Sequence, residues 1–229
     1  MEGHRASVAL LAVAFLAFAS ASGSARADEQ QLARGKQLFA LCEQCHGTNA
    51  GGMQLALAPS IAGMGEWYIH GQLNKFRDGQ RASVFDDISG MRMRPMARWL
   101  HGEDDVKAAA AYVSSLPPVR PPQTLTGGDA KNGAELYATC SGCHGAQGEG
   151  VEAVGGPSLS HSSDWYLYSS LKNYKQGIRG SDPRDAQGAA MRGMSMLLAD
   201  DQAIKDVIAY IMTLPLPGSQ AAAAGGGSQ

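Results

Sequence analysis

The sequence predicts an all-α protein made of two tandem copies of one small helical domain. Three observations lead there. The chain matches itself without a gap at an offset of 98 residues. Its apolar residues recur with helical spacing, and no stretch alternates convincingly with period two. Each copy opens on the same C-x-x-C-H pattern, followed by segments rich in Gly, Pro and Met that read as loops.

Taken in order along the chain, the first element is a leader. His4 and Arg5 precede an unbroken apolar run of 12 residues, Val8 to Ala19, and small residues end in Ala25-Arg26-Ala27. Twelve residues make only ~18 Å of helix, short of a ~30 Å hydrocarbon core. Residues 1–27 are therefore expected to be a signal peptide cleaved after Ala27, with the mature chain periplasmic. The net charge of the full sequence, −2, suggests neither a nucleic-acid partner nor a general attraction to anionic membranes. The remainder divides into a first domain, 28–117, a Pro-rich linker, 118–126, a second domain, 127–216, and a disordered tail, 217–229. The linker run Pro117-Pro118-Val119-Arg120-Pro121-Pro122 cannot continue a helix and favours a stiff extended path.

Within the first copy, Leu32, Leu38, Phe39 and Leu41 share one face of a helix running from about Glu29 into Cys42. Trp67 to Phe76 forms a second helix, closed by Gly79, and Asp104 to Leu116 a third, closed by Pro117. In the second copy, Asp200 to Leu214 repeats the last of these before Pro215. Loops as long as those between them, in so small a domain, need something large to pack on.

The C-x-x-C-H motifs suggest what that is. Cys42-Glu43-Gln44-Cys45-His46 and Cys140-Ser141-Gly142-Cys143-His144 each place two thiols one helical turn apart. That spacing suits addition to the two vinyl groups on one porphyrin edge, with the adjacent histidine beneath the iron. Two covalently bound haem c groups follow. One zinc held by both cysteine pairs would leave the repeated histidines and methionines unexplained. A thioredoxin-like dithiol lacks its βαβ context, and plain disulfides would leave the histidines without a role. The second axial ligand must come from far along the chain, and methionine is a good candidate. The repeat retains Met93/Met191 and Met96/Met194 and leaves Met91 and Met196 without counterparts. His70, His101 and His161 are not repeated and read as surface residues. Arg81 and Arg179 are repeated and suit haem propionates, and Trp67 and Trp165 are expected to line the pocket.

The two C-x-x-C-H-G motifs, Pro59 and Pro157, the aromatic helix ending in Gly79-x-Arg81 or Gly177-x-Arg179, and the final helix with Tyr112 or Tyr210 resemble the class I cytochromes c. Over the whole mature chain they resemble the two-domain diheme cytochrome c4 family. That resemblance implies that the axial methionine stands seven residues before the leucine opening the final helix, which gives Met93 and Met191. It also implies an electron carrier rather than an enzyme, working towards a terminal oxidase or similar respiratory acceptor. The alternative is the cytochrome subunit of a periplasmic dehydrogenase, such as flavocytochrome c sulfide dehydrogenase. Partners are expected to be redox proteins, with peripheral association with membrane complexes. Arg92, Arg94 and Arg98 make the loop around Met93 unusually basic and would offer a docking rim to an acidic partner.

Overall fold

A computed structural model describes residues 28–217. The expected signal peptide, its cleavage site and all but the first residue of the expected tail lie outside the described residues. Among those described there is no sheet, only the isolated bridges Met53–Ala58 and Val151–Gly156. No described helix is long and apolar enough to cross a membrane.

The first half carries α1 (28–46), α2 (Glu66–Arg77), α3 (Ile88–Trp99) and α4 (Gly102–Ser115). The second carries α5 (Ala130–Tyr137), α6 (Ser141–His144), α7 (Asp164–Lys175), α8 (Ala186–Ser195) and α9 (Asp201–Ile211). The two halves differ at the start. α1 runs unbroken through Cys42 to His46, whereas residues 138–140 break the equivalent path between α5 and α6.

The repeat is visible in the packing. Phe39 meets Tyr112 at 5.4 Å and Tyr137 meets Tyr210 at 5.3 Å, both pairs tilted by 53°. These rings pin the first helix of each half to the last, in cores built on Ile69 and Val113 in one case and Ile204, Val207 and Ile208 in the other. The helices cross closely enough to require glycine. A Cβ on Gly35 would fall 2.1 Å from the Ala108 carbonyl oxygen, and one on Gly133 would fall 1.9 Å from that of Asp206. Both contacts are with helix backbone, which cannot rotate away. Gly133→Ala is therefore expected to cost about 2 kcal/mol, as overpacking does, and to lower the thermal midpoint by roughly 10 °C. Differential scanning calorimetry checks this, and an unshifted midpoint would mean that the crossing is looser than described.

α3 and α8 correct the reading of the Met-rich segments as loops. Each begins on a buried aspartate whose carboxylate accepts from a glycine N–H, Asp87 from Gly90 at 3.0 Å and Asp185 from Gly188 at 2.8 Å. These N-caps satisfy one of the donors a helix start leaves free. α3 even tolerates Pro95 within it, on an exposed turn. Neither helix shows a clear apolar stripe, because few of its side chains are buried and its inner face borders a cavity instead of a side-chain core.

The linker is strapped to both halves. Pro118 lies over Gly63, whose φ of +69° and missing Cβ leave room for the ring; a Cβ there would sit 2.7 Å from Pro118 Cγ. The Val119 carbonyl accepts from Ser60 Oγ at 3.3 Å, and Arg120 donates to the carbonyls of Met212 and Leu214 at the end of α9. Direct contacts close the seam between the halves. Ser60 N–H donates to Ser163 Oγ at 3.0 Å, and Lys75 pairs with Asp185 at 2.7 Å.

Candidate haem centres

Each C-x-x-C-H motif ends a helical turn beneath a cavity. His46 and His144 are buried, and their Nδ1 atoms lie 2.8 Å and 2.7 Å from the carbonyl oxygens of Pro59 and Pro157. A carbonyl can only accept, so each Nδ1 carries the proton. Burial holds both imidazoles below their usual pKa, against the pull of those bonds. The rings are thus neutral, with Nε2 free as a ligand for iron. Pro59 and Pro157, identified only as repeated loop residues, are what fix the tautomer.

No disulfide joins the four cysteines. Burial pushes Cys42 up to about 11 and raises Cys140. The two cysteine pairs stand in separate halves, and among the described residues no group of three or more His, Cys, Asp or Glu side chains could hold one zinc ion.

The second-half cavity, about 300 Å³, is lined by Cys140, Cys143, His144, Met191 and Met194. The smaller first-half cavity, about 90 Å³, brings together His46, Pro59, Phe76 and Met93. Met96 is not in that lining and is exposed. In the second half the cavity wall admits both methionines of the M-x-x-M pair.

Arg81 and Arg179 both reach into the cavities and are only 7% and 6% exposed. Arg81 donates to Gln72 at 2.7 Å and lies over Phe76. Arg179 donates to Ser170 at 2.9 Å and lies over Tyr174. Those partners are all neutral, and the Arg81 Nε has none. Two buried guanidiniums without a paired carboxylate are a costly arrangement that calls for anions. The same surplus shows on Tyr166: burial opposes its ionisation, yet Arg179 and Arg81 together pull it down to about 7. Haem propionates fit this vacancy of negative charge, and the apolar walls fit the porphyrin.

Tyr68 and Tyr166, rather than the expected tryptophans, face the cavities, each its own half's and, across the seam, the other's. Tyr68, Tyr166 and Met64 each line both cavities. Trp67 and Trp165 stand edge-on to these tyrosines at 5.7 Å and 6.0 Å. Nothing in the repeat pattern signals a sharing of this kind. Of the other histidines, His70 bonds Glu103 near the surface and His101 is exposed. His161, read as a surface residue, is instead fully buried beside the linker. Burial, with Arg120 nearby, drives it down to about 4.

The family model for cytochrome c matches residues 32–117 and again 130–215. The chain belongs to the cytochrome c family. Two matches mean two covalently bound haem c groups in this cytochrome. A thiosulfate dehydrogenase electron acceptor of Stutzerimonas stutzeri (strain A1501) is 33% identical over 168 residues, covering 67% of this chain and 72% of that protein. Cytochrome c4 of Azotobacter vinelandii is 28% identical over 214 residues, covering 90% and 96%. The crystal structure of reduced cytochrome c4 from Pseudomonas stutzeri superposes with a TM-score of 0.63 at 25% identity, covering 80% of this chain and 98% of that one. The protein is a diheme, cytochrome c4-like electron carrier, all-α, with two tandem domains and no catalytic role of its own.

Proposed function

We propose that this cytochrome is an exported, periplasmic carrier that accepts electrons from a redox protein and delivers them to a terminal oxidase or similar respiratory acceptor. Its domains are 28–117 and 127–216, and its axial pairs are His46 with Met93 and His144 with Met191. The observation that carries this reading is the placement of a neutral, buried histidine and a methionine on the same cavity in both halves. With haem bound, a histidine and a methionine would both hold the iron, which favours outer-sphere electron transfer over ligand chemistry.

The partner's footprint is expected on domain 1. Leu55, Phe85 (88% exposed), Ile88 and Met91 stand out around Arg92. The repeat places Ala153, Pro183, Ala186 and Ala189 at the matching positions. Arg92, which donates to the Ala56 carbonyl at 3.0 Å, and Arg98 are exposed at this surface. Arg94 is not part of the rim; it folds inward onto the Ala82 carbonyl at 3.2 Å, with its Nε buried. An apolar patch with a basic edge suits a partner whose docking patch carries an acidic edge.

The double variant Arg92→Glu/Arg98→Glu is expected to slow oxidation of the reduced cytochrome by an oxidase preparation roughly tenfold at low ionic strength. The deficit should shrink near 1 M salt, where the Debye length is ~3 Å, and haem content should stay unchanged. Rates equal to wild type at low salt would remove domain 1 as the docking side.

A second reading has one observation behind it, the relative named as a thiosulfate dehydrogenase electron acceptor. In that case a periplasmic dehydrogenase is the donor. Rapid reduction of this cytochrome by a thiosulfate dehydrogenase, measured by stopped-flow, would support it.

A further inference from the structure

The surfaces beside the two cavities carry opposite charge. Beside the first, Arg92 and Arg98 are exposed, and the repeat sets Ala190 and Met196 in their places. Beside the second, the exposed carboxylates are Glu135, Glu149 and Glu152, and the repeat sets Gln37, Gly51 and Gln54 opposite them. Glu135 belongs to the lining of the second cavity itself. Glu152 opens the short turn Glu152–Val154, and Val154 is in that lining too. Glu149 lies over Gly145, directly after the second C-x-x-C-H motif, and accepts from the Gln147 N–H at 2.8 Å. Among the described residues, none of the three carboxylates is paired with a cation. Two cations stand near them. Lys131, one turn before Glu135, is outside the cavity lining, and Arg192 lies against Gly177.

The second mouth is also apolar. Val154, Met194 and Leu197 line the cavity and at the same time stand exposed, Leu197 by 61%, and Met196 is exposed beside them. The positions matching Val154 and Met196 are Ala56 and Arg98, so the first half lacks this patch. Exposed apolar side chains on a cavity wall are the surface nearest to whatever the cavity holds. A patch of this kind marks an interaction surface, and an acidic edge selects a partner of opposite charge.

On the diheme-carrier reading, we propose that the mouth of the second cavity is a separate docking surface, for a redox protein whose own apolar patch is edged by lysine or arginine. Arg92 and Arg98 repel that partner from domain 1. Glu135, Glu149 and Glu152 in turn repel the acid-edged partner that suits domain 1. The two partners therefore sort to different halves and do not compete for one face. A second copy of this chain also offers a basic edge, but that pairing would cover the face through which a carrier exchanges electrons.

The probe is mitochondrial cytochrome c, a small redox protein whose exposed haem edge is ringed by lysines, titrated by NMR into the isotope-labelled holoprotein. Both proteins are kept reduced, so no electron moves and a failure here leaves the carrier reading standing. At low ionic strength, amide shifts should centre on Val154, Met194, Met196 and Leu197. They should vanish near 1 M salt, where the Debye length is ~3 Å. Glu135→Lys/Glu152→Lys should weaken binding about tenfold, and Met196→Arg, which copies the first half, about threefold. Glu29→Lys/Asp104→Lys makes the same change in net charge at exposed positions of the first half and should leave the affinity in place. Absence of binding, shifts centred elsewhere, or equal weakening by the two double variants overturns the proposal. Concentration-dependent shifts at both mouths without the probe also overturn it, and give the face to a second copy.

Discussion

Changing Cys140 and Cys143 together to serine is expected to halve the haem content, from two covalent groups per chain to one. The thioethers of the second site would be gone. The cavity of about 300 Å³ would then lose its covalent filling and close in part, since interiors do not tolerate large voids. The matching change at Cys42 and Cys45 should remove the other group. Intact mass and the pyridine haemochrome spectrum count the haems directly. A double-serine variant that still holds two covalent groups would show that these thiols are not the attachment points. Domain 1 should keep its own haem, because His46, Pro59 and Met93 belong to its own half.

The second large effect concerns the methionines. Met191→Ala should open one iron, so that carbon monoxide shifts half of the reduced haem absorption within mixing time. Wild type should not respond. Losing the thioether should also lower that site's potential, because methionine ligation favours the ferrous state. Met96→Ala should leave the spectrum unchanged, since Met96 is exposed and outside the cavity lining. Met194→Ala is the sharper control, because Met194 shares the second cavity with Met191. A response to carbon monoxide in Met194→Ala with none in Met191→Ala would exchange the two assignments.

Much of this was legible in the sequence because the signals were local. The C-x-x-C-H spacing is a property of one helical turn, and the offset of 98 residues compares like with like. α2 and α4 end two residues before Gly79 and Pro117, whereas α9 stops at Ile211, short of the expected Leu214. What escaped is what one copy cannot show. α3 and α8 read as loops because a helix facing a porphyrin cavity needs no row of large apolar residues. His161 read as surface because no pattern marks the seam beside it. The sharing of Tyr68 and Tyr166 by both cavities depends on how the copies sit against each other, which a repeat compared with itself leaves undefined. Arg94 belonged by charge to the rim, but a buried carbonyl took it inward.

The shared tyrosines also bear on ancestry. A duplicated gene can ordinarily lose one copy and return to its starting point. Here each half shares a piece of its own wall with the other, since Tyr68 and Tyr166 each line both cavities. A truncation that deletes either half would uncover the survivor's haem edge and strip the cover from its buried arginine. The duplication works as a ratchet: the single-domain ancestor cannot be recovered by deletion alone, and each half has become part of the other's inheritance.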